Sequence, residues 1–386
     1  MIIMNSCYLM ISPIDTLFFR EIRPFNMQDL ILDNIESIFP PTAFSLTGLI
    51  RNGIANTLGW EGKQWNNDIK KLLGNYLDLG SLNFFGPYLI KEEKNDINIL
   101  YPIPRILYGN TKINKFTYMT PDKTVPYLTN SSKEINQIFL CKPKENVIDG
   151  RLINNYFIDK KNLLALLNRK DLNETNIFSK QQAISDNNNL IWQQERQFGI
   201  KLTFPNKSTS NDDNSLFSRT FIRLQSNFHL LMQIDGLNDD TISKVDSFIT
   251  RIGGEGKFGE VKQIHNQKDQ LNHPRITELD DSNGRVKFSI SFITPANLGN
   301  SFDSVKIFLE EKLNSDLITA SVGKTIRVGG WNSKTKEPMK AEPYIPIGST
   351  YFFETEQNQE FILQKNFNKL GKYTEFGFGQ FIIGKW

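Results

Sequence analysis

The sequence predicts an α+β protein built from two halves, and three observations predict it. A short apolar run at the N-terminus is followed by a stretch of helical periodicity and then by two strand-like runs. Much later, over residues 286–292, apolar and polar side chains alternate at period two. The length of 386 residues is more than one core ordinarily organises and comfortable for two.

The elements follow in order. Residues 7–12 are short and apolar, which suits a buried strand. The apolar start over 1–14 has no positively charged opening and no small-residue cleavage site, and Asp15 interrupts it. It reads as a first strand and not as a signal peptide, so the protein is expected to stay in the cytoplasm. The run Asp15-Thr16-Leu17-Phe18-Phe19-Arg20 continues to Pro24, which ends any regular element. Pro40-Pro41-Thr42 then supplies a proline start and a possible cap. Phe44, Leu46, Leu49, Ile50 and Ile54 recur at helical spacing, so a helix is expected to about Leu58. Residues 82–90 and 97–103 are strand-like runs parted by the polar stretch 91–96, which predicts a hairpin. Strand, helix and hairpin in that order open a ferredoxin-like half.

The middle, 110–215, is polar and rich in Asn and Lys, and predicts insertions and mobile loops around one helical segment at 162–172. Order resumes with Glu195-Arg196-Gln197-Phe198-Gly199-Ile200. Residues 216–224 and 228–234, separated by Gln225-Ser226-Asn227, predict a second hairpin. Ile242, Val245, Phe248, Ile249 and Ile252 fall on one helical face and stop at Gly253-Gly254, which predicts a helix. Val286, Phe288, Ile290 and Phe292 make the clearest strand, and 351–354 with 374–383 complete a sheet. No tandem period of solenoid length is present. Two loosely similar domains, 1–195 with the Asn/Lys-rich insertion and 196–386, fit this order.

Composition excludes several functions. The longest apolar runs fall well short of the ~20 residues that span a bilayer, so no membrane role is expected. Cys7 and Cys141 cannot build a thiolate zinc site, and His229, His265 and His273 show no metal-ligand spacing. His229 falls mid-strand and reads as structural. There is no serine elbow. The pairs Asp212-Asp213, Asp239-Asp240 and Asp280-Asp281 read as solvated turn residues. No catalytic residue, metal or cofactor is expected.

The net charge is only +3, yet within 321–340 Lys324, Arg327, Lys334, Lys336 and Lys340 face the single Glu337, a local excess of +4 beside Trp331. A solvated basic loop reads the same way. Three glycine-rich stretches stand out: Gly253-Gly254-Glu255-Gly256-Lys257-Phe258-Gly259, the region from Gly323 through Gly329-Gly330-Trp331, and Gly377-Phe378-Gly379. Glycines let a backbone approach a ligand and offer N–H groups to phosphate, while interleaved cations and aromatics neutralise phosphates or stack bases. Turn glycines beside core aromatics are the alternative. Gly254-x-Gly256-x-x-Gly259 is not a dinucleotide fingerprint, because it follows an expected helix and leads to a strand. Gly323-Lys324-Thr325 is not the end of a phosphate-binding loop, because Ile318 stands where its first glycine must be.

The run Ile14-Asp15-Thr16-Leu17-Phe18-Phe19-Arg20-Glu21-Ile22-Arg23-Pro24-Phe25, then Phe39-Pro40-Pro41 and Leu46-Thr47-Gly48-Leu49-Ile50-Arg51, resembles the start of the third subunit of the Cmr module in type III-B CRISPR systems, a RAMP protein. The resemblance continues through Phe85-Gly86-Pro87-Tyr88-Leu89, Tyr101-Pro102-Ile103-Pro104, Glu195 to Ile200, Arg251-Ile252-Gly253-Gly254-Glu255, Gly330-Trp331, Pro346 to Phe353 and Glu375-Phe376-Gly377-Phe378-Gly379. It departs at Glu21-Ile22, where that family commonly has an Asp-Gly turn before the Arg-Pro.

The resemblance implies two ferredoxin-like, RRM-related domains and a non-catalytic subunit gripping the 5′ tag of the guide crRNA. Its implied partners are the large polymerase/cyclase-like subunit, the backbone RAMP subunit and other Cmr subunits, with target RNA met only indirectly. The expected RNA contacts are Arg20, Arg23, Arg51, Arg196, Arg251, Gly253, Gly254, Gly256, Lys257, Gly259, Lys324, Arg327, Trp331, Gly377 and Gly379. Two rivals stand beside this reading: a RAMP endoribonuclease that processes precursor guide RNA, and a purely structural bridge.

Overall fold

In the computed structural model the described residues are all but 1–5, 21–33, 63, 95, 130–135, 155, 171–176, 180–189, 201, 204–207, 210–215, 266–270, 283, 333–334 and 336. The chain is mixed α and β, with many strands and few helices. It forms two compact units, each gathered from three stretches: Met1–Leu82, Lys180–Asn266 and Val328–Ala341 in the first, and Asn83–Ser179, Gln267–Arg327 and Glu342–Trp386 in the second. A single cut at 195/196 does not part them. Residue 195 lies inside the strand Trp192–Ile200, whose pairing with Leu216–Leu224 runs unbroken past it.

In the first unit Cys7–Pro13 is a strand, as its apolar run predicts, with Cys7, Leu9 and Ile11 buried. It pairs antiparallel with Phe228–Asp235 on one side and Phe258–Gln263 on the other, and Ser247–Arg251 extends the sheet beyond the latter. The expected helix is present as Ala43–Thr57, and the side chain of Thr42 caps it by accepting from the Ser45 N–H. It packs on Ser247–Arg251, where the Phe248 ring fills the space over Gly53.

The helix expected over 242–252 is a correction. Only Asp239–Lys244 is helical, and Ser247–Arg251 is a strand in register with Arg251 opposite Phe258. Apolar residues at 245, 248, 249 and 252 satisfy a helical stripe. Val245, Ile249, Thr250 and Ile252 are β-branched and suit a strand equally well, and the available edge of Phe258–Gln263 decided the matter. The hairpin expected over 216–234 is also corrected. Leu216–Leu224 pairs with Trp192–Ile200 and in parallel with Asn34–Glu36, whereas Phe228–Asp235 pairs with Cys7–Pro13. The turn forms, with the Phe228 N–H donating to the Gln225 carbonyl at 2.9 Å, but it turns a corner between two sheets.

In the second unit the predicted hairpin is present as Asn83–Glu93 and Asp96–Pro102, closing at Glu93 opposite Asp96. The polar middle is more ordered than its composition suggests. Lys115–Thr129 pairs first with Leu107–Asn110 and then, from Met119 on and across a register shift between Asp122 and Pro126, with Asn136–Pro143, and a helix capped by Asp159 spans Lys160–Leu167. Arg285–Phe292, the period-two strand, leads into the helix Phe302–Leu313, the strands Asp316–Ser321 and Thr350–Thr355, the short helix Gln359–Leu363 and the strand Phe381–Gly384. Their antiparallel order puts Arg285–Phe292 between Phe381–Gly384 and Thr350–Thr355, with Asp316–Ser321 beyond the latter. This is a split β-α-β arrangement. Its core is aromatic, with Phe288 and Phe353 stacked at 5.3 Å and Phe352, Phe292 and Phe381 buried. Of the acidic pairs expected in turns, Asp239 and Asp240 open a helix, Asp280 and Asp281 lie in a strand, and Asp212 and Asp213 fall outside the described residues. No helix among the described residues is long and apolar enough to cross a membrane.

Candidate nucleic-acid interface

The site lies on the first unit, where the paired strands Trp192–Ile200 and Leu216–Leu224 approach the turn between Ser247–Arg251 and Phe258–Gln263. Alternate residues of a strand share a face, so Phe217, Arg219, Phe221 and Arg223 line one side of their strand. The Arg219 guanidinium stands 4.6 Å over the Phe217 ring, and the Lys257 ammonium 4.7 Å over Phe221. Phe221 is buried against Phe18 at 5.2 Å, so its ring is an internal platform for Lys257. Opposite Phe217 in the register stands Gly199, and Glu195 stands opposite Phe221. On the other face Arg196 lies 5.1 Å over Phe198, a ring that is 67% exposed, and donates to the Ser218 hydroxyl at 3.0 Å.

The glycine turn closes this surface. Gly253 holds a left-handed φ of 68°, where a Cβ would stand 2.3 Å from the Phe18 carbonyl, and the Gly254 N–H donates to that same carbonyl at 2.8 Å. The turn is thereby fixed to Phe18, and its tip of Gly254, Glu255 and Gly256 faces solvent. Each cation of the arginine face meets a carboxylate. Arg219 pairs with Glu255, Arg223 with Glu195 and, at 2.9 Å, with Asp15, and Lys257 with Asp15 at 3.0 Å. The Lys257 hydrogen bond, helped by Arg223, holds the Asp15 carboxyl below its ordinary range, and Glu195 with Asp15 pushes the Arg223 guanidinium up. Surface pairs of this kind contribute roughly 0–1 kcal/mol each, so an incoming polyanion can exchange with them.

The expected contacts divide accordingly. Arg196 lies on the arm formed by the paired strands Trp192–Ile200 and Leu216–Leu224, and Arg251, Gly253, Gly254, Gly256 and Lys257 lie at the glycine turn, where Arg251 and Phe258 stand opposite each other in register with both side chains exposed. Arg20 is exposed, and its backbone bridges to Ser37. Lys324 and Arg327 are exposed on the second unit. Arg23 and the side chain of Trp331 fall outside the described residues.

Four expectations are corrected. Arg51 is 6% exposed and committed inside the unit. Its Nε donates to the Leu73 carbonyl at 2.9 Å, its Nη2 to Asn75 at 2.6 Å and its Nη1 to Tyr76 at 3.3 Å, and burial draws its pKa down to about 10. Gly259 is buried within its sheet, opposite Pro13 on one neighbouring strand and Thr250 on the other. Gly377 and Gly379 are buried: Cβ atoms there would stand 2.4 Å from the Gly86 carbonyl and 1.9 Å from that of Leu370. For Gly377 and Gly379 the turn-glycine reading holds, whereas Gly259 is a strand glycine.

Sequence reasoning missed Arg219, Arg223, Phe217 and Phe198. The signal was available in Phe217-x-Arg219-x-Phe221-x-Arg223, a period-two alternation of aromatic and cation inside a run read only as a strand. His229 is mid-strand as expected, its Nδ1 2.8 Å from the Ser12 hydroxyl.

These features define a class: a strand-dominated α+β chain whose sheet-borne surface sets arginines against aromatic rings beside a glycine turn. The particular family follows from the sequence, since residues 9–386 match the family described as CRISPR-associated protein (Cas_Cmr3), and the chain belongs to it. No curated protein matches. Among solved structures the chain is similar to a chain of the type III-B Cmr-beta complex bound to cognate target RNA, at 13% identity over 97% of this chain and 96% of that one, with a TM-score of 0.47. A chain of the same complex with target RNA and AMPPnP is 13% identical over 89% of this chain and 86% of that one, with a TM-score of 0.45. A chain of the Csm3-Csm4 subcomplex of a type III-A interference complex is 14% identical over 89% and 92%, with a TM-score of 0.35. The family match, and not these distant likenesses, identifies the chain.

Proposed function

We propose that this member of the Cas_Cmr3 family is a non-catalytic, cytoplasmic RNA-binding subunit of a type III-B CRISPR effector, holding the 5′ tag of the guide crRNA. It stands beside the large polymerase/cyclase-like subunit and contacts the backbone RAMP subunit, with target RNA met only indirectly. The observation that carries the reading is the face formed by Phe217, Arg219, Phe221 and Arg223 beside the exposed glycine turn. Single-stranded RNA is held by cations that follow its phosphates and by rings that stack on splayed bases. Phe198 and Phe258 offer exposed rings, and Arg196, Arg251 and Arg219 offer cations near them in sequence or register. Lys324 and Arg327 extend the contact set on the second unit. We further read each unit as one ferredoxin-like, RRM-related domain, the split β-α-β order of the second supporting that assignment.

Photo-crosslinking tests this. Guide RNA carrying 4-thiouridine in its tag, assembled with the complete complex, is expected to crosslink to peptides within 192–200, 216–224 and 247–259. Crosslinks confined to other subunits would leave this chain as a structural bridge. Cleavage of labelled repeat RNA by the purified chain would instead establish a processing nuclease.

A further inference from the structure

Resting on that RNA-binding reading, we infer that Glu255, Glu195 and Asp15 are built-in counter-charges that a bound strand must displace, so that the site suppresses its own phosphate-driven affinity. The arginine face is charge-neutral as folded: Arg219, Arg223 and Lys257 are matched one for one by Glu255, Glu195 and Asp15. The three acids come from three different segments, the glycine turn, the strand Trp192–Ile200 and the chain just after Cys7–Pro13. The same local neutrality therefore does not follow from one element's composition.

Glu255 is the clearest of the three. It holds a left-handed φ of 59° between Gly253 and Gly256, at 68° and 66°. An L side chain takes that conformation only at a cost, and a fourth glycine would sit there without strain. What a side chain adds at the tip is a carboxylate on Arg219. Arg219 in turn stands over Phe217, so the acid, the guanidinium and the ring form one stack reaching from the turn to the arm. An isolated anion meets these three matched pairs with no net attraction. A strand presenting several phosphates in sequence can replace the carboxylates together, because each exposed pair is weak and the replacements share one entropy cost.

The test is filter binding by the full chain over a range of salt concentrations, with two single-stranded RNAs of equal length, one carrying the repeat-derived tag and one unrelated. Glu255→Gln is expected to tighten both by about fivefold and to steepen the dependence of affinity on salt, since one more cation is left uncompensated. Glu195→Gln supplies a second, independent variant with the same expected direction. Arg219→Ala is measured alongside. If Arg219→Ala weakens binding while both Gln variants leave it unchanged or weaker, the acids position the arginines and the counter-charge role is overturned. If Arg219→Ala also changes nothing, the face does not bind RNA and the underlying reading falls with it.

Discussion

The ring of Phe217 lies over Gly199 on the neighbouring strand, so that a Cβ built on Gly199 would stand 2.4 Å from it. The glycine is the recess in which the ring rests, and the ring carries the Arg219 guanidinium at 4.6 Å. Gly199→Val is expected to lift Phe217 and scatter the stack, weakening RNA binding as much as Arg219→Ala while leaving the thermal midpoint within a few degrees. A valine variant that binds like the parent would show that the stack is not part of the contact.

Phe198 and Arg219 contribute by different physics. Phe198→Leu removes an exposed ring and keeps every charge, so binding should weaken about tenfold with an unchanged salt slope. Arg219→Ala should lower the slope by about 0.7, the loss of one phosphate contact on a single strand. Filter binding at four or five salt concentrations separates the two, and identical slopes for both variants would contradict the division of roles.

Arg51 belongs to the fold. Arg51→Met leaves the carbonyls of Leu73, Asn75 and Tyr76 without their donor in a buried setting, and should cost about 2–3 kcal/mol in urea denaturation. RNA affinity of the folded variant should not move. A clear loss of affinity at unchanged stability would return Arg51 to the contact set.

The buried and exposed glycines should respond differently. Gly379→Ala drives a methyl group to 1.9 Å from the Leu370 carbonyl, and should destabilise the second unit by more than about 3 kcal/mol. Gly256→Ala meets no atom within 4 Å and should cost only the left-handed backbone strain of about 1 kcal/mol. Equal melting temperatures for the two variants would mean that the C-terminal turn is not closed as described.

His273 gives the second unit an acid sensitivity. Its ring stacks on Phe367 at 4.0 Å and lies 2.8 Å from the Tyr101 hydroxyl, and burial, helped by Lys160 and Arg275, pulls its pKa down to about 3. The unfolded chain takes up a proton near the ordinary value of about 6.5, whereas the folded chain does not until about pH 3. The stabilisation is therefore complete above about pH 6.5 and falls as the pH drops through that window, by up to about 1.4 kcal/mol per pH unit. His273→Leu should flatten this part of the stability profile, and an unaltered profile would count against the neutral buried ring.

Much of the fold was legible because its signals are local. The helix Ala43–Thr57 follows from its apolar spacing and Thr42 cap, and the hairpin of Asn83–Glu93 with Asp96–Pro102 from two apolar runs around a polar turn. The helix expected over 242–252 formed only as far as Lys244, because the apolar positions beyond it satisfy both periods and only an open sheet edge chooses between them. The candidate site was legible in its glycine turn and in Lys257, Arg251 and Arg196. It was hidden in Arg219 and Arg223, whose meaning depends on the strand and turn that face them.

By itself, then, the sequence determined the family, the α+β class and the strand and helix types wherever a periodic run had a turn residue or a cap to bound it. Tertiary structure decided which glycines meet solvent and which meet a carbonyl, and which cations stand over rings and opposite carboxylates. The reason is physical. Periodicity and capping act within a few residues along the chain, whereas the burial of Gly379 by Leu370 or the pairing of Arg219 with Glu255 comes into being only when distant segments close on one another.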